Sequence, residues 1–228
     1  MKIGVLLHGS GVYDGTEIQE AVLSLLAIRE LGHEYICLAP DIQQHHVINH
    51  TNGEEMSEQR NVLVESARIA RGEIEALTLS HVDKIDALVL PGGFGTAKNF
   101  TKWAFSGPDG EIDPLVRDFL RSVIKQAKPI AALCMSPTTV AKALQDTGVK
   151  STLSVGSNEA ASPYDIDAIS GGMEVAGARV EMKTVEEVSV DVENKIVCAP
   201  CYMMEADILQ IRSNIYQAVK KMIDLIEN

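Results

Sequence analysis

The sequence predicts an α/β fold in which helices cover both faces of a mostly parallel sheet. Short apolar runs alternate with helix-length amphipathic stretches along the chain, the pattern of buried parallel strands joined by crossover helices. Two of those runs end in corners of unusual chemistry, "PGGFG" after "DALVL" and "CMSP" after "PIAAL". Both corners fall at predicted carboxyl ends of strands, where open α/β sheets hold their ligands. The 228 residues, 46% of them hydrophobic, are enough for one large core, and no linker or repeat divides them. A single domain spanning residues 1–228 is expected.

The elements are read in order. "KIGVLL" (2–7) is the first strand, so the opening "MKIGVLLHGS" is read as a strand rather than a signal peptide. Thr16 to Leu31 is a helix, with Thr16 and Gln19 in capping-box spacing and Gly32 as its stop. Residues 35–39 form the second strand. A polar insert from Pro40 to Gly53 leads to a helix around Ser57 to Ala70, and residues 86–90 form the third strand. Asp113 to Gln126 is a helix, "PIAALC" a strand and Pro137 to Gln145 a helix. A further strand is expected at 151–156 and a short helix near 164–170. "EVSVDVENKIVCA" alternates on both sides of Glu193-Asn194, as a β-hairpin does. Glu205 to Glu227 closes the chain as an amphipathic helix.

Composition narrows the function. The net charge is −12 and the isoelectric point about 4.9, and no basic stretch offsets the acid. That excludes nucleic acids and anionic membranes as expected partners. The longest apolar stretches fall far short of the ~20 residues that span a bilayer. Four cysteines are too few for a disulfide scaffold, which points to free thiols and a cytoplasmic protein.

Cys134 sits on the strand-to-helix corner. Such a turn exposes a nucleophile and aims the next backbone N–H, that of Met135, at an oxyanion. The helix N-terminus is expected to hold its thiol below the ~8.5 of a free cysteine. A buried structural cysteine is the plain alternative. Gly92 and Gly93 lack Cβ atoms, so the backbone there can approach a substrate and supply a second N–H donor. The segment lacks the features of a phosphate loop or a dinucleotide fingerprint. Glu17 and Glu20 begin a helix that is apolar nearly all round from residue 20 to 28. A desolvated carboxyl there has a raised pKa and suits proton transfer to a sulfur, whereas Glu17 reads as a complement to the helix N-terminus.

These motifs, "VLPGGFG", "AALCMSP" and "G-T-E-x-x-E-x-V", together resemble the PfpI superfamily, the flavodoxin-like relatives of class I glutamine amidotransferase domains. Within it, "GVYDGTEIQEAVLSLLAI", "CLAPD", "VINH" and "PGGFGTAKN" resemble the ElbB family. The resemblance runs from residue 2 to about 156, resumes at "VDVENKIVCAPCYM", and is loose over 157–185. It implies a flavodoxin-like three-layer sandwich with a mostly parallel sheet. It also implies Cys134 as nucleophile, Glu20 as the acid bonded to it, and Gly93 and Met135 as oxyanion donors, with Gly92 beside them. The implied activity is a glyoxalase reaction without cofactor or metal, converting glyoxal or methylglyoxal through a Cys134 hemithioacetal. Homodimers are common in the superfamily. The alternative from another class is a non-enzymatic, redox-sensing cysteine protein.

One departure matters. PfpI peptidases carry a His directly after their cysteine and amidotransferases use a later His, but here Met135 follows Cys134 and no histidine occurs after residue 81. Ser157 stands where some relatives have His. Peptidase and amidotransferase activities are therefore not expected. His8, at the end of the first strand, is a pocket candidate that reads better as a loop residue, and His50, in "VINH", is another. His45, His46 and His50 lie close together without a carboxylate or thiol to complete a metal site. "CAPC" (198–201) has redox spacing but comes late in the chain, within the ElbB resemblance.

Overall fold

The computed structural model describes residues 1–227. Its strands are β1 (Lys2–Leu6), β2 (Glu34–Ala39), β3 (Ile74–Ala76), β4 (Ala87–Leu90), β5 (Ile130–Leu133), β6 (Thr152–Leu153), β7 (Arg179–Val180), β8 (Ser189–Asp191) and β9 (Ile196–Ala199). Seven of them form one sheet in the order β3-β2-β1-β4-β5-β9-β8. All neighbours run parallel except β8 and β9, the hairpin around Glu193-Asn194. The central strands β4 and β5 are buried at every residue, as strands covered on both faces must be. The fold is the flavodoxin-like α/β sandwich expected.

The helices are α1 (Ile18–Glu30), α2 (Val62–Ile69), α3 (Trp103–Ser106), α4 (Pro114–Lys125), α5 (Ser136–Leu144), α6 (Ile166–Val175) and α7 (Ile208–Glu227). They flank the sheet, α1 packing on α7 and α4 on α5. Burial of Val116, Phe119, Leu120 and Val123 in α4 follows the i, i+3, i+4, i+7 spacing of one helical face.

Local chemistry moves several expected boundaries. Thr16 does not cap α1, because its hydroxyl accepts the His8 N–H at 2.8 Å. The cap is Glu17, in extended conformation, whose Oε2 accepts the Glu20 N–H at 2.6 Å. The second helix begins at Val62 rather than near Ser57, because Asn61 caps it by accepting the Val64 N–H at 3.0 Å. The strand expected at 151–156 shrinks to β6, which pairs with β7 in a separate two-stranded sheet. The last helix starts at Ile208, where Asp207 accepts N–H bonds from Leu209 and Gln210.

The sheet has a switch point. From β1 the chain moves outward through β2 to β3, then returns to the other side of β1 for β4 and β5. Segments leaving the carboxyl ends of β1, β4, β5 and β9 meet above this crevice. They carry Glu17 and Glu20, Gly92 and Gly93, Cys134, and Tyr202.

Candidate active site

Cys134 follows β5 with φ of +55°, a left-handed conformation costly for a residue with a Cβ and found where a site imposes it. Its N–H donates to Ala199 O of the neighbouring β9 at 2.8 Å. On the other side, the Ser136 hydroxyl donates to Pro91 O at 2.7 Å, tying the start of α5 to the glycine loop. The corner is thus held from both neighbouring strands.

Gly92 is where the backbone and the thiol come closest. A Cβ there would lie 2.3 Å from the Cys134 Cβ and 2.6 Å from Glu20 Oε2. Gly93 adopts φ of +105°, and a Cβ on it would meet Glu17 N and Gly15 O at 2.4 Å. Both positions exclude side chains on steric grounds.

Glu20 is fully buried beneath this loop. Its Oε2 accepts the Gly92 N–H at 2.8 Å, its Oε1 accepts the Tyr202 N–H at 3.2 Å, and its carboxyl shares a hydrogen bond with the Cys134 sulfur. Burial pushes its pKa up to about 8, and the charge of Glu17 pushes the same way. Glu17 itself lines the cavity, and burial raises its carboxyl too.

The thiol departs from expectation. Burial, followed by the nearby Glu20 carboxylate, pushes the Cys134 thiol well above its ordinary value, while the N–H groups of Gly93 and Met135 oppose that shift. The α5 N-terminus does act on the sulfur, through Met135, but desolvation outweighs it. The resting pair is therefore protonated rather than a standing thiolate.

A cavity of about 10 Å³, room for about one water, lies over the sulfur. Val12, Glu17, Gly93, Phe94, Met135 and Tyr164 contribute to its wall, with Tyr202 and Met203 from beyond β9. Phe94 and Tyr164 meet edge to face at 5.8 Å between ring centres. The sequence reading missed Tyr164, Tyr202 and Phe94. Only the position of "CYM" after a strand end, matching "CMSP" after β5, offered a signal.

The histidines stand elsewhere. His8 lies in the connection after β1, as the loop reading expected, and lines neither the cavity nor its surroundings as a pocket residue would. It is fully buried, its Nε2 donates to Pro91 O at 3.1 Å, and its ring meets Phe100 edge-on. Burial lowers its pKa to about 4, so it stays neutral and supports the carbonyl just before the glycines. His50 does not line the cavity; its Nε2 accepts the Tyr13 N–H at 3.2 Å. His45 and His46 stack on each other and on Phe105, apart from His50. Among the described residues no cluster of three His, Cys, Asp or Glu side chains is arranged to hold a metal. Ser157 donates its N–H to the Met204 sulfur and is buried.

Cys198 and Cys201 are buried free thiols; burial pushes Cys198 up to about 12 and also raises Cys201 strongly. A redox motif needs an accessible, acidified thiol, which neither supplies.

No family model matches the chain. It is 39% identical over 226 residues to the mitochondrial ES1 protein homolog of Rattus norvegicus, covering 98% of this chain and 84% of that one. It is likewise 39% identical to the mitochondrial glutamine amidotransferase-like class 1 domain-containing protein 3 of Homo sapiens, covering 98% and 83%. Among solved structures it is similar to an isoprenoid biosynthesis protein with an amidotransferase-like domain from Ehrlichia chaffeensis. That match has 31% identity, a TM-score of 0.87 and 99% of both chains covered. A ThiJ/PfpI domain protein from Brachyspira murdochii shares the fold at 13% identity and a TM-score of 0.56, over 98% and 96% of the chains.

Proposed function

Because the chain belongs to the ES1 family of glutamine amidotransferase-like class 1 domain proteins, we propose that it is a cofactor-independent glyoxalase acting on a small 2-oxoaldehyde through Cys134. The observation that carries this is a buried carboxyl of raised pKa bonded to a thiol inside a cavity with two backbone N–H donors. An oxyanion pair, a nucleophile and one proton carrier are what the reaction needs.

The steps follow from the groups present. Ionised Glu20 takes the thiol proton as the sulfur adds to the aldehyde carbon, and the N–H groups of Gly93 and Met135 hold the resulting oxyanion. After protonation this is a hemithioacetal. Glu20 then removes the proton from the former aldehyde carbon, giving an enediolate, and returns it to the neighbouring carbon while the hydroxyl proton of the first carbon passes to the second oxygen, leaving a 2-hydroxyacyl thioester. Water cleaves the thioester, releasing the 2-hydroxy acid and the thiol. Aldehyde and ketone plus one water thus become hydroxy acid, with no net redox change.

Nothing here supports a peptidase or an amidotransferase. Among the described residues the cavity wall holds no histidine, and His8 has its Nε2 committed to Pro91 O. The redox-sensing alternative is the weaker one, since burial that keeps the thiol protonated slows its oxidation. Within the family we place the chain in the ElbB group on its "CLAPD" and "VINH" motifs. Four free cysteines suit a reducing compartment, and we read that compartment as the cytoplasm; no helix among the described residues is long and apolar enough to cross a membrane. A homodimer completes the reading, with exposed Ile18, Val22 and Leu26 along α1 as apolar surface for it; light scattering measures the mass.

The test is incubation with methylglyoxal while lactate is followed. The wild type is expected to form lactate, and Cys134→Ser to form none. Thiol consumption without lactate overturns the enzyme reading.

A further inference from the structure

The Cys134 cavity, at about 10 Å³, is too small for more than the reacting carbonyl. Beside it opens a groove of about 490 Å³, within the range of small-molecule sites. Phe94 and Tyr164 line both spaces, so the edge-to-face pair is the wall between them. We propose that this groove binds the rest of the substrate: an aromatic or bulky apolar substituent on the 2-oxoaldehyde, ending in an anionic group. The proposal rests on the glyoxalase reading for the reacting end alone.

The groove's chemistry sets the class. Tyr13, His46, Phe94, Phe105 and Tyr164 give it a largely aromatic lining, on which a ring or branched chain stacks better than a methyl group. Phe105 is held there by stacking on both His45 and His46, although it is 48% exposed. Lys98 supplies the charge. Its Nζ donates to Tyr13 O at 2.8 Å and lies 5.5 Å from the centre of the Phe94 ring. Among the described residues it forms no ion pair, so its remaining N–H groups are available to a carboxylate. Asp14 and Glu55 act on it only at longer range. Lys102 stands behind it, its Nζ donating to Lys98 O at 2.8 Å and lying 3.1 Å from His45 Nδ1. Lys98 is the one cation that lines the groove among the described residues.

The experiment separates the groove from the chemistry. Isothermal titration is run with three 2-hydroxy acids of the product class, lactate, mandelate and 4-carboxymandelate, against the wild type, Lys98→Met and Phe105→Ala. Mandelate is expected to bind about tenfold or more tighter than lactate, since an aromatic ring is buried. The para carboxylate is expected to add roughly another fivefold, a gain that Lys98→Met abolishes while leaving mandelate unchanged. Phe105→Ala, at a half-exposed site, is expected to weaken both aryl acids and spare lactate. Equal affinity for all three acids, no binding by any, or equal weakening of mandelate and 4-carboxymandelate by Lys98→Met overturns the groove. These titrations need no turnover, so an absence of lactate from methylglyoxal overturns the reaction without touching the groove. Conversely, methylglyoxal turnover with flat affinities overturns the groove and leaves the reaction standing.

Discussion

At the scale of single residues, Glu20 and Glu17 separate two roles on one helix turn. Glu20 has both oxygens on backbone N–H groups of other segments and shares a bond with the sulfur, while Glu17 caps the helix. Glu20→Gln keeps the size but cannot shuttle a proton, so dicarbonyl turnover is expected to fall by roughly 10²-fold or more. Glu17→Gln is expected to cost only a modest part of the rate and about 0.3–1 kcal/mol of stability. The pH profile distinguishes them further. With Glu20 acting as base at about 8, kcat/KM rises with pH below that value and levels above it. Glu17 is the second cause of that raised value, so Glu17→Gln moves the inflection to lower pH. An unmoved inflection removes Glu17 from the electrostatics, and equal rate losses make the two acids a shared pair. Gly92→Ala is a steric counterpart. With a Cβ 2.7 Å from the Cys134 sulfur, it is expected to abolish turnover and lower stability by about 1–3 kcal/mol, read from urea unfolding.

At the scale of elements, strands were the legible part, because burial on both faces leaves runs such as "DALVL" that few other arrangements explain. The short edge strand β3, with two of its three residues exposed, carries no such run and was not foreseen. Cys134, Gly92, Gly93, Met135 and Glu20 were each found from local pattern and family resemblance at strand ends. Tyr202 was not, because it meets Glu20 across 182 residues and no local pattern encodes that approach. Tyr164 lies in the stretch 157–185, where the resemblance is loose. Boundaries failed where caps decide them. Asp207 and Gln210 bond reciprocally, Asp207 N–H to Gln210 Oε1 at 3.0 Å and Gln210 N–H to Asp207 Oδ1 at 2.9 Å, which is the box that starts α7. Asp207→Ala is expected to cost about 1 kcal/mol in chemical denaturation with turnover unchanged. No loss would place the helix start elsewhere.

For the whole molecule, two buried titratable groups bend the stability in opposite directions. His8, held neutral by burial, titrates at about 4 instead of 6.5. Its contribution is present above 6.5 and is lost as pH falls through 4, because the unfolded chain takes up the proton first. Glu20 is the reverse. Its folded value of about 8 lies above the ordinary 4.5, so its contribution is full below 4.5 and is lost as pH rises through 8. Between 4.5 and 6.5 the two slopes oppose each other and this part of the stability is nearly level. From 6.5 to 8 only Glu20 acts, and with about 1.4 kcal/mol per pH unit the wild type is expected to lose on the order of 2 kcal/mol. Glu20→Gln removes that decline. It also uncovers His8, so the variant's stability is expected to rise between pH 4 and 6.5 and then stay flat to 8. Urea midpoints at pH 4.5, 6.5 and 8 for both proteins decide this. Parallel curves would mean that Glu20 does not hold its proton in the folded state, and the base that the proposed reaction depends on would have to be sought at Glu17.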